Sequence, residues 1–311
     1  MSLAVALNNA RTSLLTTAKQ ISISGRNITG ADDPGYTRKI ALPTTDFDGS
    51  SRIVSIARAT NLALFYRVMG SQSSAAGQEA LLAGLEQLHQ TTGDTADGTS
   101  PAALVGSLAS ALQALAGAPS DRSLAQSVVT AAQSVVASLS GASQAVLTVR
   151  NEADAAMAAS VDEINGLLDR FTALNTQIVH GTVAGEDVTQ ALDDRDAVLA
   201  RLSQEVGVTV VMRADNDMAI YTDSGVTLFD KTPRSVAFQK STSLPAGVAG
   251  NVVLIDGMPM TGANATMPLR SGRLAGLATL RDEIAPAYQA QLDEMARGLI
   301  EAFAETDQSG G

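Results

Sequence analysis

The chain has 311 residues, 45% of them hydrophobic but only 3% aromatic, with no cysteine, no tryptophan and a formal charge of −11. That length allows two or three domains with real cores, and the scarcity of aromatics beside abundant Ala, Leu, Val, Ser and Thr favours thin helix interfaces lined by small side chains. The acidic balance, with Lys and Arg scattered, argues against a nucleic-acid partner, and the lack of cysteine excludes disulfides, thiolate metal sites and a cysteine nucleophile.

Residues 3–28 carry a regular apolar beat: Leu3, Leu7, Ala10, Leu14, Thr17, Ile21, Ser24 and Ile28 alternate spacings of four and three. This is a heptad seam, the mark of a helix that packs on a partner helix, and Thr17 and Ser24 make it shallow. Such a helix is marginal alone. It ends for local reasons, because Pro34 disfavours the helical region at Asp33 and Asp32-Asp33-Pro34-Gly35 is a strong turn signal, with glycine free to adopt positive φ. Residues 37–60 then read as extended and irregular, with a short strand-like piece over Arg52–Arg58. Leu64, Val68, Ala75, Leu82 and Leu85 mark a second helix, which gives way to a loop over Thr91–Pro101.

Asp121 is placed to cap a long helix. From there a second heptad seam runs through Val128, Ala132, Val135, Leu139, Ala142, Val146, Val149, Ala153, Ala156, Ser160, Ile164, Leu167, Phe171, Leu174 and Ile178. Unbroken, the segment from Asp121 to Ile178 would be a rod of roughly 87 Å; the alternative is two helices broken near Arg150–Asp154. A further helix spans roughly Val188 to Glu205, with Leu192, Leu199, Leu202 and Val206 inward. Its run Asp193-Asp194-Arg195-Asp196 reads as a solvated face bridged by one Arg, in preference to a divalent-metal or acid–base site.

Val206, Val208, Val210 and Met212 alternate as a half-buried strand does. Asp223-Ser224-Gly225 and Asp256-Gly257 each separate two strand-like pieces and predict hairpins. Helix returns near Gly272 through Leu274, Leu277, Leu280, Ile284, Tyr288, Leu292, Met295, Leu299 and Phe303, with a kink expected at Pro286. The tail Asp307–Gly311 reads as frayed. The fold class is therefore mainly α, elongated, with a bundle or coiled-coil-like set of long helices and a small antiparallel β insertion at about residues 206–262.

No chemistry is advertised. There is no nucleophile elbow, phosphate loop or dinucleotide fingerprint, and His89 and His180 have no neighbour at metal-ligand spacing. The paired acids read as helix-surface residues. No enzyme activity, cofactor or metal is expected. No leader peptide or membrane-spanning run is visible, so these features alone read as cytoplasmic.

The stretch Ser24-Gly25-Arg26-Asn27-Ile28-Thr29-Gly30-Ala31-Asp32-Asp33-Pro34-Gly35-Tyr36-Thr37-Arg38 resembles the N-terminal signature of bacterial flagellar axial proteins, Ser-x-Asn-Ile-Ala-Asn-x-x-Thr-Pro-Gly-Tyr. Its Tyr-Thr-Arg ending resembles the hook-associated branch of that family. So do Ala191-Leu192-Asp193-Asp194-Arg195-Asp196-Ala197-Val198-Leu199, similar to Leu-Leu-Asp-Gln-Arg-Asp-x-Leu-Leu, and Ser271-Gly272-Arg273-Leu274-Ala275-Gly276-Leu277 with Arg281-Asp282, similar to a Gly-x-Leu-x-Gly-Leu helix. Asn27, Ile28, Pro34, Gly35, Tyr36, Thr37 and Arg38 match; Thr29, Gly30 and Asp33 stand where Ala, Asn and Thr are usual.

The resemblance implies an exported structural component of the flagellum that joins hook to filament, with a rod or hook protein, or a secreted coiled-coil adhesin or effector, as alternatives. It implies export without a cleaved signal to the extracellular hook–filament junction. The partners it implies are further copies of the chain in a ring or tube, the hook protein, a second junction protein and an export chaperone, with neither nucleic acid nor membrane. Residues 1–60 would form the inner-tube helix and turn, disordered before assembly, and 61–311 the elongated helical domain. The seam Leu3, Leu7, Ala10, Leu14, Ile21 and Ile28 would serve assembly, and Tyr36 and Arg38 would reach neighbouring subunits, unless Tyr36 packs on its own helix. Leu192, Asp193, Arg195, Asp196, Gly272, Leu274, Gly276 and Leu277 would be structural. The family continues beyond this chain's last residue, into an outer domain and a C-terminal helix that pairs with the first one, so the resemblance also implies a truncated chain.

Overall fold

A computed structural model describes residues 3–47, 49–92 and 98–304. The tail expected to fray lies outside the described residues. The elements in order are α1 (Leu3–Thr29), β1 (Lys39–Thr45), β2 (Ser51–Arg58), α2 (Leu62–Thr92), α3 (Pro101–Gly117), α4 (Arg122–Ala184), α5 (Thr189–Glu205), β3 (Val208–Met212), β4 (Met218–Thr222), β5 (Thr227–Asp230), β6 (Thr232–Pro233), β7 (Val236–Ala237), β8 (Leu254–Ile255), β9 (Met258–Pro259), α6 (Arg273–Thr279) and α7 (Ala285–Ala302). The fold is mainly α with small antiparallel sheets, as the sequence predicts.

Two compact bodies share the chain, and each is discontinuous in sequence: residues 1–75 with 163–236, and residues 76–162 with 237–311.

In the first body, α1 lies on the ribbon formed by β1 and β2. The stretch expected to be irregular is a regular antiparallel hairpin, with one bulge where Leu42 pairs with Ser55 and Pro43 with Ile53, so that Val54 has no partner. Pro43 lacks an N–H, which is why the ladder slips there. A second sheet has the order β3-β4-β5-β6, and its two-residue-scale turns sit where Asp223-Ser224-Gly225 predicts them. Phe171 of α4 meets Phe229 of β5 edge to face at 4.9 Å, within a core that also holds Ile164, Leu168, Ile178, Leu199, Leu202, Ile220 and Leu228.

In the second body, α3 starts on Ser100, whose hydroxyl accepts from Ala103 N, and Pro101 takes the first helical position, where its missing N–H costs nothing. Asp121 caps α4 as expected, its carboxylate accepting from Ser123 N at 2.8 Å and Leu124 N at 3.3 Å. The 63-residue α4 runs without a break through Arg150–Asp154, so the two-helix alternative falls. Those two residues are buried instead. The β8–β9 hairpin turns on Asp256 (φ 48°) and Gly257 (φ 81°), the left-handed pair that its Asp-Gly sequence suits.

The kink expected at Pro286 takes a specific form. Residues Leu280–Ile284 make one π turn between α6 and α7, and Pro286 opens α7. Proline cannot donate to the carbonyl of Asp282 and its ring would crowd it; a wider turn removes both conflicts. In α2 the residues that mark the helix do not mark its buried face. Leu64, Val68 and Leu82 are exposed, while Met69, Ser73 and Leu88 are buried, because the packed face is made largely of small residues.

Candidate functional site

The turn after α1 is built from its own side chains. Gly35 N donates to Asp33 Oδ1 at 2.8 Å and Tyr36 N to the Asp33 carbonyl at 3.0 Å, a Pro-containing turn with Asp at its first position. Gly35 does not use the positive φ open to it. The chain then folds back along α1, and Tyr36 packs on its own helix: a Cβ added at Gly30 would stand 2.5 Å from Tyr36 Cγ. Gly30 therefore suits this chain at a position where the resemblance expects Asn.

Asn27 holds the return. Its Nδ2 donates to the Lys39 carbonyl at 2.9 Å, and its Oδ1 accepts from Lys39 N and from the Tyr36 hydroxyl, both at 2.8 Å. The Lys39 ammonium lies 4.4 Å from the Tyr36 ring centroid.

Beyond the turn, alternation along the strand sends Thr37 and Lys39 to one side and Arg38 to the other. Arg38 is exposed. Thr37 and Lys39 meet Asp193 of α5: its carboxylate accepts from Thr37 N at 3.2 Å, from the Thr37 hydroxyl and from Lys39 Nζ. Arg58 Nη1 adds bonds to Asp193 Oδ1 at 2.9 Å and Asp196 Oδ2 at 2.7 Å. Burial pushes the Asp193 carboxyl up, but the bonds from Lys39, Thr37 and Arg58 outweigh it and hold the group below its usual range. For Asp196 burial wins over Arg58, and its carboxyl is raised.

The solvated face predicted for residues 193–196 is therefore wrong. Asp193 and Arg195 are buried, Asp196 is half-buried and only Asp194 is exposed. Arg195 donates through Nη1 to Asn175 Oδ1 at 2.9 Å and to the Asn216 carbonyl at 2.6 Å. Its burial lowers its pKa to about 10. The sequence did hold a signal: Arg195 falls on the helical stripe of Ala191, Val198 and Leu202, all buried. Nothing in the sequence singled out Lys39 or Arg58.

The third motif has a comparable anchor in the other body. Arg281, in the π turn, is fully buried and donates to Asp154 Oδ1 at 2.5 Å, to the Asn251 carbonyl at 2.7 Å and to both carboxylate oxygens of Asp282. Arg150 points the same way and donates to the carbonyls of Arg281, Leu244, Pro245 and Val248 at 2.6–3.0 Å. Asp154 also accepts from the backbone and hydroxyl of Ser241. Asp154 and Asp193 thus each serve as a buried anchor, and at Asp193 the sequence suggested a solvated face.

The residues of α1 that turn inward are not those of its seam. Thr16 and Ile23 are buried, with the Thr16 hydroxyl donating to the Ser51 carbonyl at 2.5 Å. Leu3, Leu7, Ala10, Leu14, Ile21 and Ile28 lie on the other side and are all exposed, Leu3 at 88% and Ile28 at 77%. Beside the turn, Pro34, Gly35, Leu62, Leu64, Phe65 and Val68 line an open groove of about 370 Å³. Among the described residues no group of acidic or histidine side chains is arranged to hold a metal ion, and no helix is long and apolar enough to cross a membrane.

Residues 85–311 match the family model of the flagellar hook-associated protein FlgK helical domain. The chain is 25% identical to flagellar hook-associated protein 1 of Escherichia coli K12, over 98% of this chain and 57% of that protein. It is 23% identical to the protein of the same name in Bacillus subtilis, over 74% and 49%. The chain thus spans about half the length of the curated relatives it matches. In three dimensions it is similar to the flagellar hook junction protein FlgK from Burkholderia pseudomallei, with TM-score 0.57 and 22% identity over 70% of this chain and 39% of that one.

Proposed function

This chain belongs to the family of the flagellar hook-associated protein FlgK, and from that premise we propose that it is a structural adaptor joining the flagellar hook to the filament. The observation that carries the reading is the face of α1 turned away from its own ribbon. A row of leucines and isoleucines at heptad spacing is left open there, and such a row costs free energy in water that only a partner surface recovers.

The mechanism is geometric. Residues 1–60 form the assembly segment, ordered fully only when α1 packs among further copies of the chain, and residues 61–311 form the helical body with its β insertion at about 206–262. Of the turn motif, Arg38 is the side chain free to reach a neighbour, and its planar fork suits a carboxylate there. Asn27, Pro34, Gly35, Tyr36 and Thr37 set the direction in which it is presented, and Ile28 joins the seam. Hook protein on one side and a second junction protein on the other would be the remaining partners. Export through the flagellar channel, with a chaperone beforehand, would deliver the chain to the extracellular junction.

Electron microscopy of cells lacking the gene, with the culture medium blotted for flagellin, tests the reading. Complete bare hooks with flagellin in the medium are expected. Missing hooks would move the protein to the rod or hook, and intact filaments would refute the proposal.

A further inference from the structure

A two-stranded ribbon is marginal on its own, and β1–β2 is tied at both ends. One end is its own turn, where Asp46 N donates to the Ser50 carbonyl at 2.8 Å. At the other end Lys39 and Arg58 are register partners on opposite strands, and both donate to the single carboxylate of Asp193, 154 and 135 residues away in sequence. The side chains of Lys39 and Asp193 are 1% and 2% exposed. One acidic group thus closes the open end of the hairpin and fixes Thr37 of the signature in the same step. Before Thr16 the side chains of α1 are exposed or half-buried.

We infer that Asp193 is a conformational latch that holds residues 27–58 folded in the isolated chain. The docked turn and ribbon then set the direction in which α1 leaves them. The use made of that direction rests on the assembly reading; the latch itself does not. Chemically the device depends on burial. A buried carboxylate with two cationic partners and a hydroxyl is strongly directional, and removing one partner leaves an uncompensated charge.

Hydrogen exchange by mass spectrometry on the intact 311-residue chain tests this, comparing wild type with Lys39→Met, Asp193→Asn and the milder Thr37→Val. In wild type, residues 37–58 are expected to be protected. In the Lys39 and Asp193 variants, exchange over 37–58 is expected to rise on the order of a hundredfold or more, the scale set by breaking a buried pair, while residues 198–230 keep their protection. Thr37→Val, which removes one donor and leaves the charges paired, is expected to give a smaller rise over the same residues.

Three outcomes overturn the latch: fast exchange over 37–58 in wild type, protection unchanged in all variants, or equal loss of protection over 37–58 and 198–230. The last would make Asp193 an ordinary member of the core. These readouts concern the chain alone, so a failure of the hook–filament reading in cells leaves them intact, and the reverse also holds.

Discussion

A Cβ placed on Gly276 would stand 2.3 Å from the carbonyl oxygen of Gly77. Backbone meets backbone where α6 crosses α2, and the crossing is reciprocal, since a Cβ on Gly77 would lie 3.0 Å from the Gly272 carbonyl. The Gly-x-Leu-x-Gly-Leu pattern read from the sequence thus has a physical role: glycine at this crossing is a matter of space.

Gly276→Ala is accordingly expected to destabilise the chain by about 1–3 kcal/mol, because overpacking against backbone outweighs the gain in helix propensity. Gly166→Ala is the control. A Cβ there meets nothing within 4 Å, and stabilisation of about 0.5–1 kcal/mol is expected. Urea unfolding of both variants measures the difference; equal effects would mean the crossing tolerates a side chain.

Asn27 serves three bonds in the turn while Tyr36 supplies one of them. Asn27→Ala is expected to cost about 1–3 kcal/mol, since it strands both backbone groups of Lys39, and Tyr36→Phe only about 0.5–1.5 kcal/mol. The double variant should cost less than the sum of the two, which a double-mutant cycle in denaturant would register.

Arg281→Lys is not a conservative change here. A lysine cannot reach Asp154, Asp282 and the Asn251 carbonyl together with one fork. A loss of about 3–5 kcal/mol is expected, in the range for breaking a buried pair, with loosening of the segment 240–251 that the arginines clasp. Thermal unfolding together with proteolysis of that segment would report both effects, and a wild-type-like melting temperature would contradict this account.

The acid response of the ribbon follows from the sign of each shift. Asp193 lies below its ordinary range despite burial, so its contribution is fully present above the unfolded-state value, about 4, and is lost only as pH falls through the lower folded value. Asp196 is raised by burial and takes its proton first, leaving Arg58 to Asp193. Protection over residues 37–58, corrected for intrinsic exchange, is therefore expected to hold from pH 7 to about 4 and to fail in stronger acid. Loss of protection near pH 6 would show that Asp193 is not the group responsible.

Leu14→Asp and Ile21→Asp separate folding from assembly. Both side chains are exposed, so the isolated chain should change in stability by no more than about 0.5 kcal/mol. In cells the same substitutions are expected to abolish swimming and leave bare hooks. Normal motility would remove the seam from the assembly mechanism.

Much of this protein was legible in one dimension because it depends on local periodicity. The beat of Leu3 to Ile28, the run from Val128 to Ile178, the cap at Asp121 and the Asp-Gly hairpin at 256–257 each express a rule that acts over a few residues, and each element stands where that rule puts it. What the sequence could not decide was which polar residues turn inward. Asp193, Arg195 and Asp154 look like solvent-facing charges until partners distant in the chain arrive to pair with them. A carboxylate is buried only where donors converge, and that convergence belongs to the tertiary fold. The same limit hid the packed face of α2, since small residues become an interface only when another backbone lies against them. Helices and turns follow from neighbours in sequence; the anchors at Asp193 and Arg281 follow from neighbours in space.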